Sequence, residues 1–240
     1  MFTAAKSRRF RSASLALAVA LVVSSAVAQS RRKRYEPAID PAKFTHFINN
    51  PYFPLVPGVA TTFLEKERRE TRVSRIVVTR ELKTILGVKC RKVRDTVTLD
   101  GVLLEETIEW YAQDEAGSVW LFGEATREYK SGGRVSTEGS WEAGVEGAQP
   151  GIVMPGRPTV GTRYRHCFSA NTAEDIGQVA ALGESVTVPL GVFPDCIRTR
   201  EWSMLESSTS YVWYARGIGQ VRSECTDGEV TVLISRTGEE

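Results

Sequence analysis

Histidine, the side chain that most often serves as a base in hydrolases, is scarce in this sequence. The chain has two, His46 and His166, and a serine–histidine–aspartate site would need one of them. His46 precedes the first β-like run, whereas His166 lies beside Cys167 on a predicted strand. No Gly-x-Ser-x-Gly turn occurs, and Ser140, although preceded by glycine, lacks the spacing of that motif. We therefore predict no catalytic residue of this kind.

Carboxylates are plentiful in the middle of the chain, and several lie beside aromatic residues. Glycosidases use two carboxyl groups at a set separation, and aromatic rings offer flat apolar faces to a ligand. Glu124 lies two residues after Phe122, and Glu142 follows Trp141. Glutamate at alternate positions is also typical of the solvent face of a strand. Glu109, Glu124 and Glu142 could therefore serve a sugar site, and the pattern favours binding over cleavage.

Metal-ligand spacing is absent from the sequence. A zinc site needs Cys or His residues at close, regular spacing, and no Cys-x-x-Cys occurs. His166 and Cys167 are adjacent, so on a strand their side chains point to opposite faces. We expect neither a metal nor a cofactor.

Residues 1–28 have the three parts of a secretory signal peptide. Four basic residues precede an apolar run from Ser14 to Ala28, and Ala26-Val27-Ala28 supplies the small residues of a cleavage site after Ala28. The apolar run is shorter than the roughly 20 residues that a membrane-spanning helix needs. We expect export to the periplasm or the cell exterior, by the general or the twin-arginine route, with no transmembrane segment after cleavage.

Positive charge is concentrated at the start of the chain. The formal charge of the whole sequence is +2. Residues 1–28 contain four Lys or Arg and residues 29–34 contain four more, with no Asp or Glu in either, so the remainder carries −6. The basic run at 31–34 begins a tail and docking segment at 29–50 that could contact an acidic surface or stay solvated. An acidic body argues against nucleic acid as a partner.

An imperfect internal repeat organises the rest of the chain. One copy has a Leu-Gly-Val turn, a cysteine and a Trp-Tyr-Ala sequence at 86–88, 90 and 110–112, and the other has them at 190–192, 196 and 213–215. Chance could supply one such match but not an ordered series. We expect two copies, at about 51–125 and 161–236, within one β domain at 51–240. The paired Trp110 and Trp213 are predicted to be core residues.

The cysteines divide according to this repeat. Cys90 and Cys196 are equivalent in the two copies, whereas Cys167 and Cys225 occur only in the second. Disulfides form in oxidising compartments, and two cysteines gained in one copy suggest a Cys167–Cys225 bridge. Cys90 and Cys196 are then either buried thiols or a second bridge that joins the halves.

Each copy is predicted to contain about six strands. Residues 74–82 and 88–98 are rich in Val, Ile and Thr, and Asp100-Gly101 between two such runs is a strong hairpin signal. No stretch carries sustained helical periodicity, although 173–182 could be a short helix or a strand. Sequential hairpins favour an antiparallel sheet. The expected fold is mostly β, with duplicated antiparallel halves that form a barrel-like or two-sheet domain.

A Gly/Pro-rich loop is expected between the copies, at 123–160. Connections of this length are uncommon in compact domains and are often functional. The loop contains apolar residues, which indicates that it packs on the sheets. The candidate ligand-binding residues are Trp141, Glu142, Met154 and Glu124.

Several segments together resemble a group of bacterial exported β-rich proteins of unknown function. They are Asn50-Pro51-Tyr52-Phe53-Pro54-Leu55, the first Trp-Tyr-Ala with Val119-Trp120 and Phe122-Gly123-Glu124, and the loop at 139–154. The second copy is similar to a short β motif of other exported bacterial proteins. The resemblance spans nearly all of the mature chain. It implies an envelope or secreted location and brings no activity and no site residues.

We therefore expect a non-enzymatic exported protein that binds a small molecule, a glycan or an envelope component. One alternative is a carboxylate-dependent hydrolase that acts on glycans or esters. The other is a structural component of an envelope assembly, which would expose an apolar patch.

Overall fold

The computed structural model describes residues 35–238. The predicted signal peptide and the basic run at 31–34 lie outside the described residues. Strands account for 66% of the structure and helix for 3%, which confirms the prediction of a mostly β fold. No helix among the described residues is both long enough and apolar enough to cross a membrane.

The described part of the chain forms sixteen strands and two one-turn 3-10 helices, at Pro41–Lys43 and Ser131–Gly133. The strands are β1 (Phe44–Thr45), β2 (Val59–Glu67), β3 (Glu70–Ile85), β4 (Val88–Leu99), β5 (Val102–Asp114), β6 (Val119–Lys130), β7 (Arg134–Ser136), β8 (Trp141–Glu142), β9 (Gln149–Met154), β10 (Arg163–Arg165), β11 (Cys167–Phe168), β12 (Asp175–Val188), β13 (Gly191–Ser203), β14 (Thr209–Ala215), β15 (Gly219–Cys225) and β16 (Val230–Gly238).

The predicted hairpin at Asp100-Gly101 is present and joins β4 to β5. Both residues have positive φ, at 50° and 78°, which suits the twist of a two-residue hairpin turn. Leu99 and Val102 are paired across the turn. The residues at 173–182, for which the sequence allows either a short helix or a strand, belong mostly to β12.

Thirteen strands form a nearly closed, antiparallel, barrel-like sheet. Strands β2 to β6 and β12 to β16 are two meanders, and β16 pairs with β2 to join them. The segment at 163–168 completes the barrel on the other side. Its β10 half pairs with β12, and its β11 half pairs with β9. We call the place where this segment closes the sheet the seam.

Matching residues of the two predicted copies occupy matching places in the two meanders. Cys90 lies on β4 and Cys196 on β13, and both are fully buried. Tyr111 on β5 and Tyr214 on β14 are also buried, and both point into the barrel. Trp110 and Trp213 pack against the core but are only partly buried.

The expected inter-copy loop contains the end of β6 and all of β7, β8 and β9. All three of these strands, β7, β8 and β9, pair with β6, and this pairing satisfies backbone groups that a loop would expose to water. Trp141 and Met154 are buried in the core, as the apolar content of the segment indicates.

One end of the barrel is covered by the segment at 48–55. Phe53 packs inside, with its ring centroid 5.5 Å from that of Tyr111 and 6.2 Å from that of Tyr214. Gln113 holds the segment, because its Oε1 accepts hydrogen bonds from the backbone N–H groups of Asn49 and Asn50, each at 2.9 Å. We call this segment the plug.

Replacing Gln113 by alanine should lower the free energy of unfolding by about 2 to 4 kcal/mol, because two plug N–H groups lose their acceptor. Urea denaturation measures the loss. Gln178→Ala is the matched control, since Gln178 makes one long bond of 3.4 Å at the surface. Equal losses for the two variants would contradict this role of Gln113.

Candidate functional site

The four residues proposed from the sequence do not form one site. Glu124 and Trp141 are cross-strand partners on β6 and β8 and share a face of the sheet. Glu142 is on the opposite face, where it forms an ion pair with Lys83. Met154 is fully buried in the core. Alternation along β8 therefore separates Glu142 from Trp141.

Two tyrosine–carboxyl pairs lie inside the barrel instead. Tyr111 donates a hydrogen bond to Glu109 over 2.8 Å, and Tyr214 donates one to Glu201 over 3.3 Å. The tyrosines come from the two Trp-Tyr-Ala sequences. Phe53 of the plug touches both tyrosine rings. The two copies thus place a similar pair on each side of the plug.

Burial controls the protonation of both carboxyl groups. Desolvation raises the pKa of Glu109 to about 8, and the neighbouring charge of Glu124 adds to the rise. Desolvation likewise raises the pKa of Glu201 to about 8, against a hydrogen bond from Thr199 that lowers it. Both groups are therefore largely protonated at neutral pH.

More polar side chains line the interior beside Glu109. Thr107 and Thr126 share a hydrogen bond across β5 and β6, and Thr126 donates to Glu124. Ser74 donates to Asp95 on the neighbouring strands. A row of hydroxyl and carboxyl groups thus crosses four strands, which stabilises buried polar atoms that would otherwise be costly.

The histidines give no sign of a catalytic base. Burial lowers the pKa of His166 to about 3, so its ring is neutral. The ring stacks on Tyr164 with centroids 5.3 Å apart. His46 stacks against Phe47 near the surface. Among residues 35–238 no three His, Cys, Asp or Glu side chains are grouped so that they could hold a metal ion.

A groove of about 500 Å³ lies over the seam of the barrel. Its walls come from the N-terminal segment and from β6, β9, β10, β12 and β13. Its lining has two arginines and, in the part of the chain that the structure describes, no Asp or Glu. The lining residues are Tyr35, Pro37, Trp120, Ile152, Arg163, Tyr164, Arg165, Ile176 and Trp202.

Local strand geometry aims these side chains. In Arg163-Tyr164-Arg165, alternation along β10 turns Tyr164 into the barrel, where it is 8% exposed, and turns both arginines outward. Cross-strand pairing then sets Arg165 opposite Ile176, and Ile176 opposite Trp202. The side chains of Arg163, Arg165, Ile176 and Trp202 therefore share one outer face of the sheet.

The arginines of the groove lie against aromatic rings. The Arg165 guanidinium carbon is 5.5 Å from the centroid of Tyr35 and 5.2 Å from that of Phe168. Arg163 and Arg200 approach Trp202, at 5.9 Å and 5.0 Å. Cation–π contact of this kind fixes a guanidinium without consuming its hydrogen-bond donors.

Some of these donors have no partner within the described protein. The Nη1 of Arg165 is buried and has no hydrogen-bond partner in the structure. Within residues 35–238, no carboxylate forms an ion pair with Arg163, Arg165 or Arg200. A planar guanidinium with free donors matches a carboxylate, phosphate or sulfate.

The sequence analysis missed this groove because its residues are far apart in the chain. Trp120 lies in the first copy and Trp202 in the second, and Tyr35 precedes both copies. The signal that could have indicated it is the Arg-x-Arg spacing at 163–165, which puts two arginines on one face of a strand.

The predicted Cys167–Cys225 bridge is wrong in this structure, where all four cysteines are free thiols. Cys167 is on β11 at the seam, where its Sγ contacts the Asp175 carboxylate at 3.5 Å. Cys225 is on β15, and β12, β13 and β14 lie between the two positions in the sheet. Pairing them would need a reach that disulfide geometry does not allow. Cys90 and Cys196 are buried thiols, which is one of the two alternatives that the sequence leaves open for them.

Comparison with known proteins found no match to the chain among family models, curated proteins or solved structures.

The two buried carboxyl groups predict a fall in stability with rising pH. Each keeps its proton in the folded state up to about pH 8, whereas its usual pKa is 4.5. Their contribution is thus complete at low pH and is lost as the pH rises through about 8. Glu109→Gln and Glu201→Gln should each reduce the loss of Tm between about pH 5 and pH 9, measured by calorimetry. Glu138→Gln, at an exposed position, is the control, and an unchanged pH profile in both buried variants would contradict the assignment.

Four free thiols are expected when the protein, purified without reductant, is denatured and titrated with a thiol reagent. In the folded protein, only the half-buried Cys225 should react readily, because burial raises the pKa of Cys90 to about 12 and of Cys196 to about 11. Cys225→Ser should remove the reaction of the folded protein. A count of two in denaturant would show a disulfide.

Proposed function

We propose that this chain is an exported, non-catalytic binding protein whose seam groove takes an anionic ligand with a flat apolar or sugar-ring face. The observation that carries this proposal is a groove of about 500 Å³ in which Arg163 and Arg165 lie against aromatic rings and form no ion pair within residues 35–238, although Asp175 is close enough to Arg165 to interact with its charge. That volume is within the range of small-molecule sites.

The two kinds of side chain in the groove divide the recognition. Arg163 and Arg165 supply charge and directed donors for an anionic group. Trp120 and Trp202 supply flat apolar area that packs on a ring. A ligand with only one of these features would use half of the groove, so the groove favours a molecule that carries both.

The sequence just before a groove residue supports an anionic ligand. Tyr35 lies in the groove and its hydroxyl donates to the carbonyl of Pro150. The four residues that precede it in the sequence, 31–34, are all Lys or Arg. Positive charge this close in sequence to a lining residue favours an anion as the ligand.

Binding is favoured over hydrolysis by the position of the carboxyl groups. Glu109 and Glu201 are the pair with raised pKa, which is a property of many general acids. Their exposed fractions are 1% and 2%, and both lie inside the barrel rather than in the groove. A carboxylate-dependent glycosidase would need such carboxyl groups at the ligand.

Titration of tryptophan fluorescence tests the proposal, because two of the five tryptophans line the groove. The probes are digalacturonate, a sugar phosphate and a naphthalenesulfonate, each beside an uncharged counterpart of the same shape. At least one anionic probe should bind. The double variant Arg163→Gln/Arg165→Gln should weaken that binding at least about tenfold, through loss of charge-assisted contacts.

Arg134→Gln is the matched control, since Arg134 is exposed on β7 outside the groove. It should bind as the unmodified protein does. The proposal fails if no anionic probe changes the fluorescence, or if the control and the double variant lose affinity equally.

A further inference from the structure

We infer that the groove is one end of a longer binding surface, and that this surface takes an anionic polysaccharide chain. The inference rests on the proposed function, because it extends the same site. It names a polymer as the ligand, where the groove alone requires only one anionic ring compound.

The surface continues from the groove over the outer face of β13, β14 and β15. Cross-strand pairing sets Arg200 opposite Tyr211, Arg198 opposite Trp213, and Trp213 opposite Arg222. Residues of each strand that are two apart share this face. We call this set of five residues, which adjoins Trp202, the arginine–aromatic track.

Guanidinium groups and rings contact each other along the whole track. The guanidinium carbon of Arg198 is 5.5 Å from the ring centroid of Tyr211 and 5.9 Å from that of Trp213. The guanidinium carbon of Arg222 is 6.0 Å from the Trp213 centroid. These contacts hold the side chains flat against the sheet, so cationic and apolar surface alternate as they do in the groove.

The charge of the combined surface is positive but partly balanced at its far end. Arg198 pairs with Glu184 at 3.2 Å, and Arg222 pairs with Glu224. Arg163, Arg165 and Arg200 have no such carboxylate within the described residues. The groove is thus the strongest anion subsite, and the track is a weaker extension that uses both ring stacking and charge.

The length of the surface fits a chain rather than a single ring. From β10 to β15 the sheet crosses β12, β13 and β14, which is four inter-strand steps. At the usual strand spacing the surface is about 19 Å long. That length accommodates several sugar units in a row, each of which can place a ring on an aromatic side chain and an anionic group near an arginine.

Polysaccharide is favoured over single-stranded nucleic acid, which also uses stacking and positive charge. The body beyond residue 34 carries −6, which opposes both kinds of polyanion, so net charge does not distinguish them. The expected export puts the protein where envelope or matrix glycans are the abundant anionic polymers.

Galacturonate oligomers test the inference, with affinity measured by calorimetry for the disaccharide and the hexasaccharide. The hexasaccharide should bind at least about tenfold more tightly, because it reaches the track. Arg198→Gln/Arg222→Gln should remove most of that gain and leave disaccharide affinity unchanged, because both residues lie on the track outside the groove. Arg163→Gln/Arg165→Gln should weaken both oligomers. The methyl-esterified hexasaccharide, which has the same rings without charge, should bind weakly.

The outcomes separate the two proposals. Equal affinity for the two oligomers overturns the track, and so does a hexasaccharide affinity that Arg198→Gln/Arg222→Gln leaves unchanged. In either case, binding of the disaccharide still upholds the groove. Binding of neither oligomer and of no other anionic probe overturns both. Tighter binding of a single-stranded DNA hexamer than of the hexasaccharide also overturns the inference, and would identify nucleic acid as the ligand class.

Discussion

Closure of the sheet by the segment at 163–168 is the constraint on which the rest of the molecule depends. An open sheet of this length would leave two edges with unpaired backbone groups, and this short segment covers both. The close approach needs glycine on either side. A Cβ at Gly151 would lie 2.2 Å from the carbonyl oxygen of Arg165, and one at Gly177 would lie 2.4 Å from Nε2 of His166. Larger residues there would force the seam open.

Closure also decides the chemistry of the interior. Once the barrel is closed and the plug is in place, alternating residues that would face water on an open sheet are enclosed. The carboxyl groups of Glu109 and Glu201 then become neutral acids that accept hydrogen bonds from Tyr111 and Tyr214. A buried charge would cost far more than a buried, hydrogen-bonded acid. The repeated Trp-Tyr-Ala sequence supplies the tyrosine that hydrogen-bonds to the buried acid in each meander.

The groove lies on the outer face of the same seam. The strand that turns Tyr164 into the barrel must turn Arg163 and Arg165 out. Strands from the two ends of the sheet meet there, so Trp120 and Trp202 come together only because the barrel closes. The site is thus built where short strands pair and backbones approach closely, which ties binding at the groove to the integrity of the barrel.

Sequence by itself determined the local features: strands from alternating β-branched residues, the Asp100-Gly101 hairpin, and the mostly β class. These depend on neighbours in the chain. It could not determine the pairing of β9 with β11 or of β10 with β12, since distant strands carry no local signal of register. The groove residues and the separation of Cys167 from Cys225 follow from that pairing. Only tertiary structure decided them, because closure sets which side chains, far apart in sequence, share a surface.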